Sequence, residues 1–275
     1  MTNAPPMTSP RCLPPLGLVL SIAFLLVVVL STLAPSWLAS SDPLTTDIVQ
    51  RLKPPTLMHP FGTDNLGRDL YSRVIFGTAQ SMKATVIALV LAFCLSSVIG
   101  VIAGYVGGLV DDLFMRTMDV LLAVPSLLVS LMLVSTLGFG TINIAIAVGV
   151  ASVASFARVT RAEVMKVRNM PYVEAARAYG TSWQTICFRH IFPQARGPVT
   201  ALVAIEFGAA ILSISALSFL GYGAAPPAPE WGNLVSEGRN YIATAWWLTA
   251  FPGGMIIATV LSASRVGRIF GRITR

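Results

Sequence analysis

Long stretches without charge alternate with short polar segments along the chain, and they set its elements. Thirty residues between Arg11 and Asp42, 27 between Lys83 and Asp111, and 38 between Asp119 and Arg158 contain no Asp, Glu, Lys or Arg. A helix rises about 1.5 Å per residue, so roughly 20 apolar residues cross a ~30 Å hydrocarbon core. The first stretch predicts a span at 16–33, with Trp37 at an interface, and the second a span at 84–105. The third is too long for one helix, and the turn formers Gly138-Phe139-Gly140-Thr141-Ile142-Asn143 divide it into 120–137 and 142–157. A fifth span is predicted at 198–220 and a sixth at 246–264. Six spans place both termini on one side.

Composition agrees with a membrane protein. Of 275 residues, 55% are hydrophobic and 11% charged, against about 25% charged in soluble domains. That supply cannot cover a water-facing surface, which excludes an ordinary cytosolic enzyme, a disordered chain and a secreted disulfide scaffold. The net charge of +7 is read as loop asymmetry, with no nucleic acid partner. With the termini inside, 13 of the 19 Lys and Arg residues fall on that side and six on the other. Basic residues accumulate on the cytoplasmic side, so both termini are expected in the cytoplasm of a multi-pass cell-membrane protein.

The expected organisation is a cytoplasmic tail at 1–15, an anchor at 16–33, an extracytoplasmic segment at 34–83, a five-helix core at 84–264 and a basic cytoplasmic tail at 265–275. No Ala-x-Ala cleavage pattern follows the first span, so it is read as a retained anchor. Cys12, Cys94 and Cys187 lie far apart without CxxC spacing and are read as reduced and structural. His59 and His190 stand alone, and no metal site is assigned.

Gly100, Gly104 and Gly108 repeat every four residues, which bares one helix face to a close neighbour. Pro125 and Pro252-Gly253-Gly254 are expected to interrupt the third and sixth spans, as packing kinks or as hinges. The segment at about 158–197 is far longer than a connection needs. Within it Pro171 opens a helix, Gly180 ends it in a left-handed conformation, and Thr181-Ser182-Trp183-Gln184 caps a second helix stopped near Pro193. An amphipathic hairpin resting on lipid and a docking knob both fit. In the docking reading Ala175, Ala176 and Gly180 admit a partner's surface, and Glu174 pairs with a cation there.

Four segments carry a family resemblance. Glu174-Ala175-Ala176, then Gly180 and Ile191-Phe192-Pro193, resembles the EAA loop of permease subunits of binding-protein-dependent, ATP-driven (ABC) importers. Phe61-Gly62-Thr63-Asp64-Asn65-Leu66-Gly67-Arg68-Asp69 is similar to the outer-loop signature of their dipeptide, oligopeptide and nickel branch. Gly104-Tyr105-Val106-Gly107-Gly108 with Asp112, Arg116 and Asp119 resembles its first cytoplasmic loop. Ala216-Leu217-Ser218-Phe219-Leu220-Gly221, Pro226-Pro227 and Trp231-Gly232-Asn233 resemble its fifth-span exit.

The resemblance spans about 59–265 and implies an all-α membrane protein, with six transmembrane helices in the type I ABC importer permease fold and a cytoplasmic coupling helix. It further implies a peptide-translocating subunit, with nickel or another small solute as the alternative cargo. The implied partners are a second homologous permease, two cytoplasmic ATPases that dock on the EAA loop, and an extracytoplasmic substrate-binding protein. The chain contains no GxxxxGK[ST] loop. It is therefore read as a non-enzyme without cofactors, with ATP and Mg bound by the partners.

Two positions depart from the family pattern. Ile214 stands where an acidic residue is expected, and Asn169 where another is expected ahead of the coupling helix. Glu206 is instead the ionisable residue deep in a span, and such residues face a bundle interior or water. It is read as a partnered structural group, as a path residue contacting an amine-bearing substrate, or as the sign of a misplaced span boundary. In the outer motif, Asp64, Arg68 and Asp69 are expected to form an ion network in a structural turn, with receptor contact as the alternative. An ion-gradient-driven transporter is the rival from another class. It predicts inverted hydropathy repeats and more intramembrane charge.

Overall fold

The computed structural model describes residues 16–273. The expected tail at 1–15, with Cys12, lies outside the described residues, as do 274–275 and the side chains at 188, 190, 192, 195–201 and 270–273. The elements among them are α1 (Leu16–Leu33), α2 (Pro35–Leu38), α3 (Leu70–Val106), α4 (Gly108–Ala123), α5 (Ser126–Leu137), α6 (Thr141–Arg168), α7 (Pro171–Ala178), α8 (Trp183–Ile186), α9 (Phe192–Phe219), α10 (Trp231–Gly238) and α11 (Trp247–Ile273). Large apolar side chains such as Leu20, Leu26, Val86, Val90 and Ile257 are exposed, as lipid-facing surfaces require.

Close packing of α3 on α6 organises the bundle. A methyl group at Gly149 would sit 2.8 Å from the Ala88 carbonyl, one at Gly100 2.7 Å from Thr160 Cβ, and one at Gly104 2.8 Å from Val164 Cγ1. Contacts that advance together along both helices make them parallel. The chain must therefore recross between them, and α4 with α5, bent by 93°, makes that crossing. Counting the bent pair as one, six of the described helical segments are long and apolar enough to cross a membrane. At the other end of the chain, Arg265 Nη1 donates to the Gly17 carbonyl at 3.3 Å, which puts the start of α1 and the last turns of α11 on one side.

Several helices outrun the predicted spans. The second begins at Leu70 rather than 84, because Asp69 caps it there: Asp69 Oδ2 accepts from Ser72 N at 2.8 Å. The fourth continues to Arg168, so 158–168 is helix rather than loop, held by α3 along its length. Pro193 does not stop a helix; it lies in the first turn of α9, where its missing N–H costs nothing. A π-turn at Cys187–Ile191 joins α8 to α9. Pro252 does not interrupt the sixth span, because α11 runs through it. Gly254 has open space beside it.

Pro125 does break the third span. Val124 before it is extended, at φ −98° and ψ 132°, the conformation a following proline imposes. The turn after α5 also forms as its residues suggest. Gly138 and Gly140 take positive φ, and Asn143 Nδ2 donates to the Leu137, Gly138 and Phe139 carbonyls.

The α3–α6 seam makes a testable difference between glycines. Gly100→Val should cost about 1–3 kcal/mol by overpacking and lower the melting temperature of the purified protein in detergent. Gly254→Ala should leave it unchanged or raise it, since alanine favours helix by up to ~1 kcal/mol.

Candidate functional site

Chemistry gathers at three levels of the bundle. At one end the segment before α3 folds into a charged clamp. Asp64 Oδ1 accepts from the Leu66 and Arg68 amides, and its Oδ2 from Arg68 Nε at 2.6 Å and Arg73 Nη1 at 2.7 Å. Arg73, fully buried, also donates to Glu237 of α10 at 2.7 Å. Asp69 meets His59 Nδ1 at 2.9 Å, and Thr63 donates to the Gln50 carbonyl.

The two glycines of this motif are demanded by close approach. At Gly67 (φ +74°) a methyl group would collide with the Asp47 carbonyl, and at Gly62 (φ +76°) with the Lys53 carbonyl and the Trp247 ring. Gly62, Thr63, Asp64, Gly67, Arg68 and Asp69 therefore come together as a structural turn. Asp64 and Arg68 share one network, while Asp69 belongs to a neighbouring one. Arg73 and Glu237 escaped sequence reasoning because 164 residues separate them.

The segment between α9 and α11 docks on this clamp's helix. Trp231 is buried, its Nε1 donating to the Val74 carbonyl at 3.1 Å. Gly232 lies where a methyl group would strike the Ser215 carbonyl. Glu230 is fully buried, accepting from Ser218 Oγ and, at 2.9 Å, from Ala224 N. Burial pushes its carboxyl above the usual range, against those two hydrogen bonds, which lower it. Only its place directly before Trp231 in the sequence hinted at it.

At the opposite end of α3 and α6 lies the elbow. Val173 of α7 is fully buried among Val164, Val167, Ile186, Cys187 and Ile191, with Val101, Tyr105 and Ala176 packed around them. Pro171 opens α7 and Gly180 ends it at φ +77°. Ser182, one residue later than the expected cap, accepts from Thr185 N. Arg177 stacks over the Tyr105 ring at 4.9 Å. Glu174, Ala175, Tyr179 and Gly180 are exposed, whereas Ala176 turns half inward. Burial pushes the Cys187 thiol up, in keeping with a structural cysteine. Beside the elbow α4 is tied to α6 by a two-pronged Asp111–Arg161 pair and by Arg158–Asp119 at 3.2 Å.

Midway between these ends the α4–α5 break opens a cavity of about 320 Å³. Pro125, Ser126 and Ser130 line it from one side, Ser152 and Ser155 of α6 from another, and Glu206, Ala209 and Ser213 of α9 from a third. Glu206 is half-buried and hydrogen-bonds to Ser155. Ile214 does not face this space; it is buried in the core with Ala88 and Ile144.

Comparison with known proteins shows the family and the fold that carry these three levels. Residues 96–275 match the family described as "Binding-protein-dependent transport system inner membrane component". The probable D,D-dipeptide transport system permease protein DdpC of Escherichia coli (strain K12) is 36% identical over 254 residues, covering 92% of this chain and 85% of that one. The dipeptide transport system permease protein DppC of Alkalihalophilus pseudofirmus is 36% identical over 251 residues, covering 91% and 81%. Among solved structures, an inward-facing MetNI methionine ABC transporter shares the fold, with a TM-score of 0.56, 15% identity and coverage of 74% and 96%.

Two outcomes follow from the clamp and its neighbour. Arg73→Met strands two carboxylates against each other and should cost about 3–5 kcal/mol, read as loss of folded protein in detergent extracts. For Glu230 the folded state holds the proton more tightly than the unfolded state does. The stability this contributes is full below the ordinary glutamate range and is lost as pH rises through the displaced pKa. Melting temperatures measured against pH should therefore show the native chain losing ground to Glu230→Gln as pH rises above the ordinary range.

Proposed function

The chain belongs to the family of binding-protein-dependent transport system inner membrane components, and from that premise we propose that it is the translocating subunit of an ATP-driven importer of di- or oligopeptides. In that role it pairs with a second homologous permease, and an extracytoplasmic substrate-binding protein delivers the peptide. Two cytoplasmic ATPases, which bind and hydrolyse the ATP, seat on the paired coupling loops, one on α7 and one on the matching loop of the second permease. The loop-charge asymmetry supports cytoplasmic termini, with the elbow on the cytoplasmic side and the Asp64 clamp outside. The peptide relatives support the cargo.

One observation carries the docking role. α7 is seated on an apolar base made by the ends of α3 and α6 together with α8 and the π-turn, yet Glu174 and Ala175 on it, and Tyr179 and Gly180 just after it, stay at the surface. A helix that only covered the base would turn its polar side to water, whereas Tyr179 is 89% exposed. Exposed aromatic rings beside small residues suit a partner's surface, where aromatics anchor contacts. Force applied there reaches the transmembrane helices through Val173 without passing through a flexible loop. The clamp residues from Gly62 to Asp69 serve the fold of the outer segment in this reading, and Pro193 sets the start of α9.

Glu174→Lys and Gly180→Leu should each reduce ATPase co-purification and peptide-stimulated ATP hydrolysis at least tenfold, with membrane insertion intact. Stimulated hydrolysis at the native level in the assembled complex would exclude the docking role.

A further inference from the structure

The cavity at the α4–α5 break has a chemical bias that the fold does not require. Its polar lining, among the described residues, is one carboxylate, Glu206, with five serine hydroxyls at 126, 130, 152, 155 and 213, and no Lys, Arg or His. A carboxylate at membrane depth without a cation is costly, and Ser155 supplies a hydrogen bond but no charge. The first turn of α5 lines the same space at Pro125 and Ser126, and no side chain caps that helix. The Leu128 and Val129 amides donate to the Pro125 carbonyl, which leaves the Ser126 and Leu127 N–H groups as the uncapped, partially positive end of the helix. A bare metal cation gains nothing from that end. A zwitterion satisfies the carboxylate and the helix end at once. About 320 Å³ is some ten times a water's ~30 Å³ share of the liquid, room for a small peptide.

We propose that this cavity is a binding subsite for a small zwitterionic peptide, with Glu206 and the serine hydroxyls receiving its α-ammonium and the first turn of α5 facing its carboxylate. The inference rests on the peptide-importer reading and adds a recognition step inside the membrane, after release from the receptor. Discrimination at this step is set by the peptide's two charged ends, not by its side chains. It departs from the outer motif and the elbow, which bind no substrate in this scheme.

The test uses the assembled complex in lipid nanodiscs, carrying Ser213→Cys, with thiol alkylation at that position followed by mass spectrometry of the labelled peptide. Alanyl-alanine should slow alkylation at least threefold. Its N-acetyl derivative should not, its C-terminal amide should protect less than the free acid, and adding Glu206→Gln should abolish protection. Alkylation unaffected by alanyl-alanine overturns the proposal. So does equal protection by the acetylated peptide, equal protection by the amide, or protection that survives Glu206→Gln. Should the double variant fail to assemble, the three-peptide comparison on Ser213→Cys alone decides. ATP-dependent uptake of alanyl-alanine by the unsubstituted complex tests the importer reading separately, since its loss would leave the protection result standing.

Discussion

The parallel packing of α3 against α6 is the constraint from which the other features follow. Two parallel helices of one chain need a connection that returns across the membrane. Here it must be made by α4 and α5, 16 and 12 residues long. Laid end to end they would measure about 42 Å at 1.5 Å per residue, more than the ~30 Å core. The 93° bend resolves the excess. It turns α4 so that Asp111 and Asp119 reach Arg161 and Arg158 on α6, and α5 is left to gain depth. A bend at membrane depth frees backbone groups, which lipid cannot satisfy and a polar cavity can. The space itself, though not the chemistry of its lining, is thus a geometric consequence of the glycine seam.

The same seam gathers the ends of both helices into two different kinds of joint. At the Asp64 end the joint is made of directional bonds: Arg73 fits between Asp64 and Glu237, and α10 is locked by Trp231. Small displacements there strand buried charge and are resisted steeply. At the elbow the joint is apolar and non-directional, Val173 among valine, isoleucine and cysteine side chains. Such contacts tolerate sliding while still transmitting push and pull. A bundle fixed at one end and compliant at the other suits the proposed work of carrying an ATPase movement from α7 into the membrane.

Much of this was legible in the sequence, for identifiable reasons. Spans announce themselves because lipid admits no charge, and turn residues such as Gly180 and Asn143 act locally. Of the expected Gly100, Gly104 and Gly108 stripe, the first two meet a close neighbour, which is α6, whereas Gly108 opens α4 with open space beside it. The helix ends were misjudged where the limits were tertiary. Apolarity marks where a helix may lie in lipid and does not mark where it stops, so α3 and α6 run on into polar sequence with Arg73 and Arg168. Pro193 was overread as a stop because proline costs little in a helix's first turn, whereas Pro252 lies inside α11, which runs on through it. The Arg73–Glu237 pair, and the serines that join Glu206, are long-range meetings that local pattern does not carry.

The displaced carboxylate of the fifth span has a physical account in this geometry. At about 100° per residue, positions 206 and 214 of α9 lie roughly 80° apart, on adjoining faces. Ala210, Ile214 and Leu217 form the stripe buried against Ala84, Ala88 and Ile144, while Glu206, Ala209 and Ser213 form the stripe that lines the cavity. A carboxylate at 214 would be buried in that core of alanine, valine, isoleucine and leucine side chains, at a large desolvation cost. At 206 the same charge finds Ser155 and open polar space. Ile214 and Glu206 are therefore two halves of one choice. The tight seam keeps its apolar face, and the carboxyl group sits where the broken helix has already made room for it.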